Sequence, residues 1–485
     1  MLSNDATIFQ VKHELMRTVA KYAFEGVYEE KRDKIPYELS PGPNANFRCC
    51  VYREREVLRE RIVLAEGGTL HEGDYNMIQV IPAACHGCPI SRFSVTDNCQ
   101  KCMQKACQNA CKFNAITMGA RKAIIDPNIC KECGQCAKAC PYNAIADLVR
   151  PCKKACPVDA IQMEEVSGIV KIDKDKCIQC GACIHSCPFG AIGSRAGIVK
   201  VINAIRSGKR VVAMVAPAAE GQFGKGVTMT SWRTALKKIG FDDMVEVALG
   251  GDLTAQAEAE EWAEAYKEGK KMTTSCCPAF VNMIHKHYPT LVDNISTSVS
   301  PMCGVSRMLK ADDPDVVTVF IGPCVAKKSE MQDQKIEGNV DFVMLFSEIL
   351  PMLEAQGVTL EPEEYDHQQA SIFGKHFAHS HGVTDAVVQS LKETGESTDV
   401  KVEVCNGALE CKKALLMMKA GKFKGDFIEG MACPGGCIAG PGARKTIPQF
   451  KKDRQDCLSK TEDIGIADSI KKHVGEELNF SMHRH

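Results

Sequence analysis

From about residue 195 onward, apolar runs of strand length alternate with helix-length stretches of mixed polarity. The runs are VVAMVAPA at 211–218, DMVEVAL at 243–249, DVVTVFIGP at 315–323, VDFVMLF at 340–346 and KVEVC at 401–405. Strands separated by helices mark parallel α/β units, in which functional groups collect where strands end and loops begin. Upstream the pattern differs. HELMRTVAKYAFEGVYEEKRDK at 13–34 is amphipathic helical text and SPGPNAN at 40–46 is turn-forming, yet residues 1–80 carry no recognisable chemistry. Between these regions four short phrases end alike: Cys111 before Asn114-Ala115-Ile116, Cys140 before Asn143-Ala144-Ile145, Cys156 before Asp159-Ala160-Ile161, and Cys187 before Gly190-Ala191-Ile192. The pattern divides the chain into a helical region of unknown role (1–80), a sulfur-rich repeat region (81–194) and an α/β domain (195–485).

Composition changes this picture in one respect. The 485 residues, 45% hydrophobic and 25% charged, are ordinary globular material for about three domains. Sixty basic against 61 acidic side chains leave no field to draw in nucleic acid or anionic lipid. Cysteine is the anomaly: 27 in all, 16 of them between Cys85 and Cys187. The opening MLSNDATIFQVKHELMRTVA lacks an apolar core, a twin-arginine pair and a small-residue cleavage site, so a cytoplasmic chain is expected. No apolar run reaches the roughly 18 residues of a membrane span. In a reducing compartment CxxC repeats read as metal ligands rather than disulfides.

Cys130, Cys133, Cys136 and Cys140 form CxxCxxCxxxCP, and Cys177, Cys180, Cys183 and Cys187 repeat it. Cys99, Cys102, Cys107 and Cys111 are a looser variant, with four residues before the third cysteine. Cys152 and Cys156, followed by Pro157, make a half motif whose leading CxxC lies at Cys85 and Cys88. A structural zinc site needs four ligands but not this rhythm. Each phrase resembles half of a bacterial ferredoxin, in which three close thiolates hold one cubane and the fourth cysteine ligates the other. The resemblance implies nested α+β ferredoxin-like domains with four 4Fe–4S clusters. Cys130, Cys133 and Cys136 would join Cys111, and Cys99, Cys102 and Cys107 would join Cys140. Cys177, Cys180 and Cys183 would join Cys156, and Cys85, Cys88 and Cys152 would join Cys187. His86 reads as a loop histidine, and Cys49 and Cys50, among arginines, read as unligated thiols.

Three separated motifs remain: Thr274-Ser275-Cys276-Cys277-Pro278; Pro323-Cys324-Val325-Ala326-Lys327-Lys328-Ser329-Glu330; and Glu429-Gly430-Met431-Ala432-Cys433-Pro434-Gly435-Gly436-Cys437. Alone, each cysteine reads as a buried small hydrophobe. Four of the five could hold another cubane, leaving one over. Together, TSCCP, PCxxKxxE and ExMACxxGCxxG resemble the signature motifs of iron–iron hydrogenases across most of residues 195–445. The resemblance implies an α/β catalytic domain made of two lobes of mainly parallel sheet with flanking helices, holding between them an H-cluster. That cofactor is a 4Fe–4S cubane joined to a diiron subsite with CO, cyanide and a bridging dithiolate amine. By motif, Cys277, Cys324, Cys433 and Cys437 would hold the cubane, Cys437 bridging to the diiron unit. Cys276 would pass protons to the amine, its thiol ordinarily titrating near 8.5. Lys327 would donate to a cyanide, and Met431 would pack beside the diiron subsite.

Glu258 and Glu261 lie three apart in AQAEAEEWAEA and share a helix face, and Ser296 follows Cys276 by twenty residues. The residues alone suggest a solvated acidic face. The resemblance instead implies a proton relay through Cys276, water, Glu258, Ser296 and Glu261. Phe280, Gly322, Met302-Cys303, Pro441, Ala443 and Arg444 depart from the commoner pattern and suggest a divergent, group B-like branch. Cys303, Cys405, Cys411 and Cys457 read as packed thiols. GGDLTAQ at 250–256 lacks the setting of a dinucleotide loop. The expected activity is therefore reversible hydrogen oxidation and proton reduction of the ferredoxin-hydrogenase type. Its partners would be a ferredoxin or similar small electron carrier and the hydrogenase maturation proteins, with no nucleic acid and no membrane. The rival readings are a low-activity hydrogen sensor and a hydrogenase-like iron–sulfur assembly protein without the diiron subsite.

Overall fold

The computed structural model describes residues 7–88, 91–164, 167–366 and 368–484. Helices α1 (Ile8–Glu25) and α2 (Val51–Ala65) open it. Helix α1 starts at a capping box between Thr7 and Gln10 and stops at Gly26, whose φ of 76° is the left-handed turn glycine takes at a helix end. Its apolar stripe of Val11, Leu15 and Val19 is buried with Ile198 and Ile202 of α3 (Ile198–Arg206), and with Ile349 and Met352 from the later helix Phe346–Ala355. Residues 1–80 thus share a core with the α/β part rather than standing apart from it.

The sulfur-rich region is one hairpin module set inside another. Strand β1 (Ile78–Val80) pairs antiparallel with β8 (Ile192–Ser194), and β6 (Ile161–Met163) with β7 (Val170–Ile172). Inserted between these are β2 (Phe93–Val95) paired with β5 (Ile145–Asp147), and β3 (Ile116–Met118) paired with β4 (Ala123–Ile125). The repeated phrases have a backbone cause. Asn114, Asn143, Asp159 and Gly190 all have φ between 50° and 56°, the region tolerated by Asn, Asp and Gly. That turn swings the next amide back onto the sulfur: Ala115, Ala144, Ala160 and Ala191 each donate N–H to the cysteine four residues earlier, at 3.2 to 3.4 Å. Neutral N–H donors on cysteine sulfurs favour thiolate ligands.

The α/β part holds two parallel sheets. In the first, β9 (Val211–Val215) lies between β10 (Asp243–Glu246) and β12 (Val317–Gly322), with β13 (Phe342–Leu345) beyond β12. In the second, β15 (Phe427–Met431) lies between β11 (Met272–Thr273) and β14 (Val402–Asn406). This matches the expected two lobes of mainly parallel sheet. The apolar runs overstate the strands. Strand β9 stops before Pro217, which has no N–H for the ladder, and Val247 already belongs to helix α4 (Val247–Lys267). Strands β11 and β15 escaped the hydrophobic pattern, one because it is two residues long, the other because Glu429 and Gly430 interrupt it. The Gly250-Gly251 pair lies inside α4: a Cβ on Gly250 would stand 2.2 Å from Pro301 O, so glycine lets α4 approach helix α5 (Pro301–Asp312). No helix among the described residues is long and apolar enough to cross a membrane.

Candidate functional site

Each of the three cysteine motifs leaves the carboxyl end of a parallel strand, where open α/β sheets place their sites. Cys276 and Cys277 follow β11, and Cys277 caps a helix begun by Pro278. Cys324 follows β12 and leads into the short helix Ala326–Glu330, which carries Lys327. Cys433 and Cys437 follow β15. Between them Gly435 and Gly436 both have φ of 89°, and a Cβ on Gly436 would stand 2.6 Å from Ala378 O, so only glycine fits.

These loops converge. Burial pushes up the thiols of Cys324, Cys433 and Cys437, and the neighbouring charges of Cys277 and of one another push them further. Beside them is a cavity of about 60 Å³ bounded by Cys276, Cys277, Cys324, Lys327, Met431 and Cys437. Its remaining wall is apolar, including Ala216, Ala218, Met302, Phe320 and Phe377. Lys327 is 7% exposed; its ammonium donates to Glu330 Oε2 at 2.7 Å and Cys276 O at 3.2 Å. Burial lowers its pKa but the Glu330 carboxylate outweighs that, so it stays charged. Ser300 Oγ donates to the same carboxylate at 2.9 Å. Cys303 packs behind, wholly buried, its thiol donating to Asn339 Oδ1 at 3.3 Å. Cys405 and Cys411 are buried side by side near Cys277.

Glu258 is not on a solvated face: it is fully buried, and burial, with the charges of Glu261 and Glu429, raises its carboxyl to about 8. Its Oε1 accepts from Ser275 N at 3.1 Å. Cys276 departs from the sequence argument too. Burial, then the Glu258 charge, drives its thiol well above its ordinary value, so it rests protonated as a donor. Ser296 is buried, and its Oγ accepts from Ser298 N at 3.1 Å in a local side-chain-to-backbone turn that leaves its hydroxyl proton free to be donated. Ser298 stands beside it, donating Oγ to Glu261 Oε1 at 3.4 Å and accepting Ser275 Oγ on its carbonyl at 2.6 Å. Glu261 also accepts from Thr297 N at 3.0 Å and faces His483 Nδ1 at 2.9 Å. Neither Ser298 nor His483 belongs to a motif, and only the fold brings them to Glu261.

Neighbouring charges connect fourteen of the sixteen upstream cysteines in sets. Cys183 is raised by burial and by Cys180, Cys177 and Cys156, and also by Cys152 of the next set; Cys152 by burial and by Cys187, Cys85 and Cys88. Cys107 feels Cys140 and Cys99, and Cys136 feels Cys130 and Cys111. Cys102 and Cys133 belong to these last two sets by their CxxC spacing. No three His, Cys, Asp or Glu among the described residues close around a single metal ion. Cys180 lies in electrostatic reach of Cys277 and Cys433, linking one set to the three-loop site. Lys12 and Arg61, from α1 and α2, and Arg48 between them, lie in reach of Cys187. Cys49 and Cys50 are exposed, and His86 Nδ1 is bonded to Pro82 O at 3.0 Å.

Comparison with known proteins follows the same division. Residues 209–441 match the family described as iron only hydrogenase large subunit, C-terminal domain. Residues 150–191 match a 4Fe-4S dicluster domain and residues 123–146 a 4Fe-4S binding domain. The periplasmic Fe hydrogenase large subunit of Nitratidesulfovibrio vulgaris is 30% identical over 51% of this chain and 72% of its own length. Iron hydrogenase 1 of Clostridium pasteurianum is 27% identical, over 52% of this chain and 53% of its own length. A cytosolic Fe-S cluster assembly factor of Danio rerio is 23% identical over 53% of this chain and 77% of its own. Among solved structures, a Chlamydomonas reinhardtii FeFe-hydrogenase aligns with a TM-score of 0.45 at 22% identity, covering 54% of this chain and 88% of that one.

Proposed function

The chain belongs to the iron-only hydrogenase family, and from that premise we propose that it interconverts H₂ with protons and electrons at an H-cluster. The observation that carries the reading is the cavity beside Cys437, walled by apolar side chains yet offered a thiol by Cys276 and a buried ammonium by Lys327. Cys277, Cys324, Cys433 and Cys437 supply the four thiolates a cubane needs, and the cavity gives a second group room next to Cys437. When bound, that group supplies the open iron site and the redox chemistry.

The chain's own residues do the rest. Lys327, clamped by Glu330, would offer its ammonium to a cyanide of the bound group and so help to hold it. Met431, Phe377 and Ala218 exclude water. Cys276, resting protonated, exchanges its proton with the cavity on one side and with the Glu258 carboxyl on the other. Glu258 is suited to this, since a carboxyl titrating near 8 holds and releases a proton close to neutrality. Cubanes held by Cys156, Cys177, Cys180 and Cys183, in reach of Cys277, and by the other upstream cysteines would carry electrons between the site and a ferredoxin or similar carrier, to which Cys133 is exposed. We further propose a cytoplasmic setting, in which maturation proteins install the diiron unit.

The test is H₂ evolution and uptake by the matured full chain with a reduced or oxidised low-potential carrier. Turnover in both directions supports the enzyme. A fully metallated protein with negligible turnover points to the sensor. A protein that acquires cubanes but never the diiron unit points to the assembly role.

A further inference from the structure

The residues Ser481 to Arg484 cross the outer end of the acidic route. Val299 N donates to Met482 O at 2.7 Å and Arg484 N to Thr297 O at 2.8 Å, making an antiparallel bridge of Ser298 with His483. Arg307, from α5, clamps the segment by donating to the carbonyls of Ser481 and His483, each at 2.6 Å. The clamp fixes the imidazole. His483 Nδ1 stands 2.9 Å from Glu261 Oε1 and 2.9 Å from Thr297 Oγ1. Accessibility falls inward: the His483 side chain is 39% exposed, Glu261 15%, and Glu258, one helical turn on, is fully buried. Glu258 Oε2 has no hydrogen-bond partner among the described residues, which leaves that carboxyl oxygen open to proton exchange.

We propose that His483 is the outer proton-exchanging residue of the hydrogenase reaction, linking Glu261 to bulk water. The inference rests on the catalytic reading above. Toward H₂ formation, Nε2 takes a proton from water or a buffer acid, giving imidazolium. The Nδ1–H bond then breaks as the Glu261 Oε1–H bond forms, and the neutral ring regains its Nδ1–H tautomer by exchange with water. One proton enters and one moves inward; H₂ oxidation runs the steps backwards. Imidazole suits the position because its two ring nitrogens let it take a proton on the side facing water and give one on the side facing Glu261. The charged groups around the ring are Glu261 from α4, Arg307 from α5 and Arg484 beside it, with Glu258 and Glu330 behind them.

The experiment uses matured holoenzyme carrying His483→Ala or His483→Gln, read by H₂ turnover across pH, infrared bands of the metal-bound diatomics, and rescue by added imidazole. Turnover should fall about tenfold in both variants, a modest share of what general acid–base catalysis contributes. The infrared bands should be unchanged, and imidazole in solution should restore the alanine variant. The glutamine variant should stay slow without imidazole although its amide can still bond Glu261. Full turnover in either variant overturns the proposal. So does a loss equal at every pH that imidazole cannot relieve, which would make His483 a structural pin. An unmodified protein that carries the bands but does not turn over overturns the catalytic reading itself, and this inference with it.

Discussion

The sulfur-rich region and the three-loop site both gather cysteines, but by opposite routes. Upstream, most cysteines come in short-range phrases that the hairpins bring together, and one backbone rule recurs: a left-handed Asn, Asp or Gly returns an N–H to the sulfur. Downstream, Cys277 and Cys433 leave the paired strands β11 and β15, neighbours in the sheet though distant in the chain, and Cys324 leaves β12 of the other sheet, so the three meet where two parallel sheets point their carboxyl edges at one place. The first arrangement tolerates repetition and insertion, as the nested hairpins show. The second leaves room beside the thiols for a cavity, where chemistry other than electron storage can happen.

The sharpest way to break this contrast is to remove one downstream thiol. Cys437→Ser should abolish H₂ turnover while electron paramagnetic resonance still detects the reduced upstream clusters. Loss of those signals as well would mean that the two regions do not assemble independently. Glu258→Gln should cut turnover about 10²-fold at unchanged iron content, because the variant keeps the Ser275 contact but cannot carry a proton. Unchanged turnover would remove this carboxyl from the route.

Upstream, Asn143→Val should cost about 1–2 kcal/mol by forcing a β-branched residue to a φ of 50°, while Asn143→Gly should be nearly neutral. Thermal denaturation followed at the cluster absorbance would separate the two. A pH slope is expected as well. Glu258 binds a proton in the folded chain up to about pH 8 but in the unfolded chain only up to about 4.5. Folding stability from this site therefore falls as pH rises between those values, by at most about 1.4 kcal/mol per pH unit, and Glu258→Gln should flatten that slope in melting curves.

What was legible in the sequence follows the same contrast. Cys130 to Cys140 and Cys177 to Cys187 announce themselves because ligand spacing is local. The parallel strands were legible from apolar runs, although Pro217 and Val247 end them sooner than hydrophobicity suggests. Strand β15 was hidden because its buried Glu429 answers to a distant loop, accepting from His381 N at 2.7 Å and Thr384 N at 2.8 Å. The same holds around Glu261. The resemblance pointed to Ser296, whereas the contact of Ser298 with Glu261 and the approach of His483 from more than two hundred residues away belong to no motif. Burial was equally invisible: an acidic helix face reads as solvated until the sheet and α5 cover it.

One measurement reaches the centre of the account. Infrared spectra of the matured full chain should contain stretching bands of metal-bound CO and cyanide, and those bands should vanish in Cys437→Ser. A chain filled with iron and sulfide but silent in that spectral region would contradict the claim that the cavity beside Cys437 houses a diiron unit.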